Sequence, residues 1–463
     1  MESRKGGGMF DAINTTLNGL VWGPPMMILL VGTGMYLTLR LCFIQFRGFR
    51  HGFRVLGGAY DSSGNPGEIS HFQALSAALA ATIGVGNIVG VASAILLGGP
   101  GAVFWMWITA VFGMATKYSS CLLAVLYRKV DERGESHCGP MHYIELGMGR
   151  RWKWLAVLFA VFTMIASFGI GNMSQVNSLV VNAHGLLVPE GDPEARSGMF
   201  SLVAGLMVAG LTGAVIVGGI KSIGRVAALL VPFMGLTYVL VGLWILLRHA
   251  GAIPEAFSTI LHAAFHAPGA VEGGLIGGVI QEGVARGLFS NEAGLGSAPI
   301  AHGAARTGEP VREGLVAMLG PFIDTLVVCS ITALVIVITG ATGHTQVDAQ
   351  LTAEAFSLGL GSDLGASFVS FSILLFAFST LIGWSYYGDR AADYLFGHRA
   401  VMPYRLVFVL MIVVGACIQW DTILSVSDTM NGLMAAPNLI ALVVLSPVVA
   451  SATASYWRRL KGE

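Results

Sequence analysis

Thr82, Gly84, Gly86 and Asn87 stand together in the run Ala-Ala-Thr-Ile-Gly-Val-Gly-Asn-Ile-Val-Gly, residues 80–90. That run sits inside an apolar segment, 71–97, long enough to cross a bilayer. Glycine is a poor helix residue and a polar side chain is costly in lipid, so the segment reads as a discontinuous helix. Irregular backbone at membrane depth survives only where protein buries it or it lines a wet cavity. Its free N–H groups suit an anion, because they lie at the positive end of the restarted helix. A second run, 283–297, reads Gly-Val-Ala-Arg-Gly-Leu-Phe-Ser-Asn-Glu-Ala-Gly-Leu-Gly-Ser. Here Gly287, Ser290 and Asn291 interrupt another spanning segment. The expectation is that its first half ends near Gly287, with unpaired carbonyls and the Ser290 and Asn291 oxygens facing a cation. Paired interrupted spans in two halves of a chain point to a carrier site. Ordinary glycine packing faces between membrane helices are the alternative.

The elements that position these runs follow from composition. Of 463 residues 54% are hydrophobic and 11% charged, and the formal net charge is zero. A soluble domain carries roughly 25% charged residues, so this is a polytopic membrane protein with no nucleic-acid partner indicated. The five cysteines, Cys42, Cys121, Cys138, Cys329 and Cys417, lack pairing or metal spacing and read as small core hydrophobes. The polar, glycine-rich residues 1–10 do not read as a cleavable signal.

A helical span needs about 20 apolar residues. Eleven candidates follow: 20–41, 71–97, 102–126, 154–181, 200–217, 226–247, 273–301, 315–339, 367–387, 405–419 and 430–452. Every second loop is basic, from Arg47, Arg50 and Arg54 to the tail residues Arg458, Arg459 and Lys461. Arg196 and Arg248 are the exceptions. The alternation places the C-terminus in the cytoplasm and the N-terminus outside. Setting the first span aside leaves two sets of five, each opening with a broken helix and opposed in orientation. The expected fold is therefore all-α: an extra N-terminal helix plus a five-plus-five inverted repeat. Its divisions are 1–70, 71–247, 248–455 and a tail, 456–463.

Residues 98–117, Gly-Gly-Pro-Gly-Ala-Val-Phe-Trp-Met-Trp-Ile-Thr-Ala-Val-Phe-Gly-Met-Ala-Thr-Lys, resemble the motif of the sodium:alanine/glycine symporter family. Residues 84–88 and 289–296 are similar to that family's broken helices, and 139–144 to a loop motif. His137, Cys138 and His142 depart from that loop's usual small or aromatic residues. The resemblance runs from about residue 15 to 455. It implies sodium-coupled import of alanine or glycine by alternating access on the leucine-transporter fold, with sodium as the co-transported ion. The implied setting is a prokaryotic-type inner membrane, without an obligatory protein partner. The same fold implies sodium between the second and ninth spans, held by backbone oxygens of Ala80, Ile83 and Phe376 and the hydroxyls of Ser379 and Thr380. Those hydroxyls bonding back to carbonyls one turn earlier is the other reading. It also turns the fourth span toward substrate, with Phe168, Asn172 and Gln175 on the wall and Trp384 as a cap. Residues of these four types at such positions more often pack than bind.

Thr82 could serve either end of a zwitterion. Glu282 and Arg286 are spaced to pair on one helix. Glu292 follows the second break, Asp324 has no evident partner, and Asp389 and Asp393 read as solvated at a helix end. Intramembrane charges of this kind are functional candidates by default. A metalloenzyme needs a ligand cluster beyond His137, Cys138 and His142, and no Gly-x-x-x-x-Gly-Lys loop occurs. A proton-coupled or uncoupled carrier is the alternative function.

Overall fold

The computed structural model describes residues 9–62, 64–187, 198–266, 277–345, 348–418 and 421–462. Arg196, the first eight residues and the start of the seventh predicted span, 273–276, lie outside them. Among the described residues the regular structure is helical apart from a two-stranded hairpin, β1 (Lys129–Val130) and β2 (Ser136–His137).

In chain order the helices that matter are α1 (Met9–Val21), α2 (Pro24–Arg40), α3 (Phe49–Leu56), α4 (His71–Thr82), α5 (Val89–Gly98) and α6 (Ala102–Leu126). Next come α7 (Pro140–Gly147), α8 (Lys153–Phe168), α9 (Ser174–Leu187), α10 (Gly198–Ile216), α11 (Gly219–Arg248) and α12 (Ile253–His266). The second half has α13 (Gly278–Asn291), α14 (Ala298–His302), α15 (Pro310–Ala317), α16 (Ser330–Thr339) and α17 (Asp348–Leu360). It ends with α18 (Leu364–Phe396), α19 (Val401–Cys417), α20 (Asp421–Leu433) and α21 (Ala435–Lys461).

Among the described residues, nine helical stretches are long and apolar enough to cross a membrane. The pair flanking the first interruption, bent by 67°, brings the number to ten. The sequence reading counts eleven; its remaining segment is α13 with α14, separated by non-helical residues 292–297. The loop read between 342 and 365 in fact holds α17, too short and polar to register as a span.

Local chemistry explains the boundaries. Ser70 caps α4: its Oγ accepts the Gln73 N–H at 3.2 Å while the Gln73 side chain accepts the Ser70 N–H at 3.0 Å. Two wide π turns interrupt otherwise helical spans, Gly169–Met173 between α8 and α9 and Phe322–Cys329 before α16. Such turns recur at functional sites because they displace a side chain without ending the helix.

α6 is the central helix, packed by α2, α13 and α15. It approaches α13 closely: a Cβ added at Gly283 would sit 2.4 Å from the Ala102 carbonyl oxygen. Without a hydrophobic force between helices in lipid, this backbone-to-backbone contact supplies the packing attraction. α18 crosses behind both α4 and the α8–α9 pair.

Candidate functional site

The first interruption is a capped gap. α4 stops at Thr82, Gly84 is extended (φ −140°, ψ −158°), and Val85–Asn87 makes one 3-10 turn. Continuing the helix would require the Gly84 N–H to bond the Ala80 carbonyl. It donates instead to Asn87 Oδ1 at 2.9 Å. That leaves the Ala80 carbonyl without its helical donor.

A small cavity of about 30 Å³ lies against this gap. Thr82, Gly84 and Gly86 form one wall, Thr380 and Trp384 of α18 another. Ile170 and Gln175 reach it from the π turn and the start of α9, Phe289 and Glu292 from the end of α13, and Asn431 from α20. Of the predicted substrate residues it therefore gathers Thr82, Gly84, Gly86, Gln175 and Trp384. Ile170, Phe289, Glu292 and Asn431 were not predicted to line it. The π turn seats Trp384 closely: a Cβ on Gly171 would lie 2.4 Å from Trp384 Cβ. The Gln175 amide is oriented by Nε2 donating to the Ile170 carbonyl at 3.1 Å. Gln175 Oε1 and Asn431 Oδ1 are buried with no hydrogen-bond partner among the described residues. Two unpaired acceptors in one cavity are costly unless a donor arrives. Phe289 also borders a second cavity, about 300 Å³, shared by Asn18, Trp22, Glu282, Arg286 and Asp428. It thus stands between the two spaces.

Other predicted residues face elsewhere. α13 runs unbroken through Gly287 to Asn291, contrary to expectation. Gly287 packs on α6, where an added Cβ would sit 3.2 Å from Met106 Cα. The interruption comes later, at Glu292, whose backbone is left-handed (φ 52°). Non-glycine residues hold that conformation only when the surroundings impose it. Here Glu292 accepts from Ser297 Oγ at 2.5 Å across the turn.

Asn87, Ser290 and Asn291 turn away from the cavity to a buried hub around Asp324, which does have partners. Its carboxylate accepts from Asn87 Nδ2 at 2.6 Å, Ser290 Oγ at 2.8 Å and Thr325 Oγ1 at 2.8 Å. Asn291 donates to Thr325 Oγ1 at 3.2 Å. This hub ties the two interrupted segments together through the second π turn. Lys117 of α6 is buried nearby, with Glu292 and Asp324 the opposing charges that act on it. Phe168 stacks on Tyr404 and Phe408, and Asn172 donates to the Phe408 carbonyl at 2.8 Å. Both belong to the α19 contact rather than the cavity.

Of the residues expected to hold sodium, Ile83, Phe376, Ser379 and Thr380 are linked by contacts. Ser379 Oγ donates to the Phe376 carbonyl at 2.8 Å and lies 3.5 Å from the Ile83 carbonyl. Thr380 Oγ1 donates to the Phe376 carbonyl at 3.0 Å. Ala80, Ile83 and Phe376 are all fully enclosed, at 0%, 1% and 0% exposure. The hydroxyls thus do bond back one turn, and Ser379 also reaches across to the gap in α4. Oxygen-only donors of this kind suit a hard cation.

Among the remaining charges, Glu282 and Arg286 pair at 3.5 Å. Asp389 and Asp393 are not solvated: Asp389 is 2% exposed and takes Arg405 Nε at 2.8 Å and Arg390 Nε at 2.6 Å. His137 Nδ1 lies 2.8 Å from Asp393 Oδ2, and that hydrogen bond holds the imidazole pKa above its usual value. Burial pushes His142 down to about 4 and Cys138 up to about 12. Cys138 Sγ donates to the Ile300 carbonyl at 3.3 Å, so it packs α14 rather than presenting a thiolate.

Apolar spans, a bent and capped helix gap, and a small polar cavity beside it define a multi-pass membrane carrier. The comparisons give the particular group. The family model for the sodium:alanine symporter family matches residues 8–463. The sodium/alanine symporter AgcS of Methanococcus maripaludis is 47% identical over 461 residues, covering 98% of this chain and 99% of that one. An uncharacterized transporter of Haemophilus influenzae is also 47% identical over 461 residues, 97% of each chain. The crystal structure of MhsT in complex with L-phenylalanine superposes with a TM-score of 0.57 at 12% identity, over 84% of this chain and 99% of that one. At that identity the likeness carries the fold alone. This chain belongs to the sodium:alanine symporter family. It is a cation-coupled amino-acid symporter, not an enzyme.

Proposed function

We propose that the protein imports a small neutral amino acid, alanine or glycine, together with sodium by alternating access. The observation that carries this reading is the small cavity against the gap in α4, bounded by Gly84, Gly86 and Trp384. The substrate carboxylate meets the free main-chain N–H groups of residues 85–86, where the positive end of α5 begins. The ammonium meets the unpaired Gln175 Oε1 and Asn431 Oδ1, with the Glu292 carboxylate on the same wall. Trp384, Phe289 and Ile170 leave no room for a long side chain, which keeps the site alanine-sized.

Sodium sits between α4 and α18, on the carbonyls of Ala80, Ile83 and Phe376 and the hydroxyls of Ser379 and Thr380. Those hydroxyls turn their protons away so that lone pairs face the ion. Each sodium entering down about 100 mV contributes roughly 2.3 kcal/mol. A tenfold sodium gradient adds about 1.4 kcal/mol. At one sodium per solute the sum supports accumulation on the order of a few hundredfold.

The architecture assigned to this activity is eleven spans, with α13 and α14 forming the second broken one. Residues 71–247 and 248–455 are its two opposed five-helix repeats; 1–70 hold the extra first span and 456–463 the tail. The carrier lies in a prokaryotic-type plasma membrane with its C-terminus in the cytoplasm and its N-terminus outside. An uptake panel in proteoliposomes tests the reading: glycine, L-alanine and D-alanine, each with sodium or with choline. Sodium-dependent uptake of at least one is expected. Undiminished alanine uptake in choline would replace it with a proton-coupled or uncoupled carrier. Gln175→Ala and Asn431→Ala should each raise the alanine half-saturation by about five- to thirtyfold, the loss of one hydrogen bond to a charged group.

A further inference from the structure

Away from the cavity, three buried ionisable side chains meet. Glu313 of α15 is wholly enclosed and offers one carboxylate oxygen to each of two histidines. Its Oε1 lies 2.5 Å from His302 Nδ1, and its Oε2 bonds His71 Nδ1. His71 opens α4, the first half of the first interrupted segment; His302 closes α14, the last part of the second. The two elements flanking the site are therefore clamped to one carboxylate at the same end of the molecule.

A carboxylate only accepts, so both Nδ1 atoms carry their protons. Two neutral imidazoles then leave the cluster with one net negative charge in a buried place, an expensive arrangement. One more proton on an Nε2 atom makes it neutral. Both Nε2 atoms are buried with no hydrogen-bond partner among the described residues. His71 Nε2 lies 3.9 Å from Asp61 Oδ1, and Asp61 is 47% exposed in the loop after α3. Asp61 is thus the route from solvent to His71.

The surrounding charges are accounted for element by element. Asp61 and, from α15, Arg312 act on His71; Cys121 of α6 and Arg128 just beyond it face Glu313. On the other packed elements the charges are engaged elsewhere. His51 of α3 bonds Tyr456 of α21, and Arg459 of α21 pairs with Glu309. Asp389 and Arg390 of α18 pair with each other, and Lys221 of α11 acts on Glu68.

We infer that His71, Glu313 and His302 form a proton-binding site that latches the cytoplasmic ends of the two interrupted segments. The proton enters and leaves His71 Nε2 by way of Asp61, on one side only. It therefore sets the rate of inner opening without being transported. Protonated, the cluster is neutral and the latch is closed; deprotonated, the buried negative charge favours separation of α4 and α14. This inference rests on the orientation and symport reading given above.

Right-side-out membrane vesicles carrying the full chain provide the test, with an inward sodium gradient, external pH fixed and lumenal pH set between 5.5 and 8.5. Initial uptake of labelled alanine should rise about three- to tenfold across the range where imidazole titrates. A trapped pH dye should show no alanine-driven proton entry. His71→Gln should flatten the profile. Asp61→Asn, at an exposed position that spares folding, should move the midpoint down by about half a pH unit, the effect of losing one partly exposed carboxylate. A flat profile in an active wild-type carrier overturns the proposal. So does a profile that survives His71→Gln, or lumenal acidification driven by alanine. Absence of sodium-driven uptake at every pH is a different result, and removes the symport reading beneath it.

Discussion

Gly84→Ala separates the sodium site from the substrate site by a single carbon. Gly84 has negative φ, so alanine adopts its backbone without strain. The added Cβ would lie 2.8 Å from Thr380 Oγ1, with Thr380 Cβ and the Thr82 carbonyl oxygen next at 3.9 Å. The whole effect therefore passes through one hydroxyl. The relief open to it is rotation of Thr380, which breaks the 3.0 Å bond to the Phe376 carbonyl and withdraws an oxygen from the proposed ion site. Loss of one such interaction costs about 1–2 kcal/mol, or a rise of roughly five- to thirtyfold in the sodium half-saturation. Thr380→Ala should cost a similar amount. Because both changes remove the same oxygen, the double variant should be no worse than Thr380→Ala alone, giving a coupling energy of about 1–2 kcal/mol. Sodium titration of alanine uptake in proteoliposomes measures all four corners of the cycle. Additive losses, or a wild-type sodium titration for Gly84→Ala, would refute the placement of Thr380 on the ion.

Three further outcomes are expected. Gly171→Ala should press on Trp384, raise the alanine half-saturation at least about tenfold and cost about 1–3 kcal/mol of stability, measured by uptake and by unfolding in detergent. Asp389→Asn keeps the shape but leaves Arg390 and Arg405 short of a buried carboxylate, and should lower stability by about 3 kcal/mol in the same unfolding assay. The bond to Asp393 raises the His137 pKa in the folded state, so its contribution is complete below the unfolded value near 6.5 and fades as pH rises through the folded value. The stability gap between wild type and His137→Gln should accordingly shrink between pH 6 and 8.5, from a maximum below about 1 kcal/mol because the ring is partly exposed.

The sequence by itself determined the membrane class, the positions of most spans and the first interruption. These are local properties: apolar run length, the two glycines at 84 and 86, and the basic residues in alternate loops. Span 102–126 reappears residue for residue as α6. The adjacent hydroxyls at 379 and 380 were legible as polar groups in an apolar helix, and both bond back to the Phe376 carbonyl one turn earlier. What the chain order could not convey is which face each polar residue presents. Asn87, Ser290 and Asn291 read as cavity residues, yet Asp324 takes the first two and Thr325 the third behind the site, and only folding brings residues 324 and 325 to them. Two π turns shift the helical register by one residue, which takes Asn172 to α19 and leaves Gln175 at the cavity; periodicity at 3.6 residues per turn misplaces anything beyond such a turn. Gly287 looked like a break but is a packing glycine, whereas the break at Glu292 is held by Ser297 five residues on. Asn431, Phe289 and the latch of His71, Glu313 and His302 depend on contacts between segments hundreds of residues apart or on opposite sides of a turn. Side-chain facing and long-range pairing are properties of packing, and only the tertiary structure decided them.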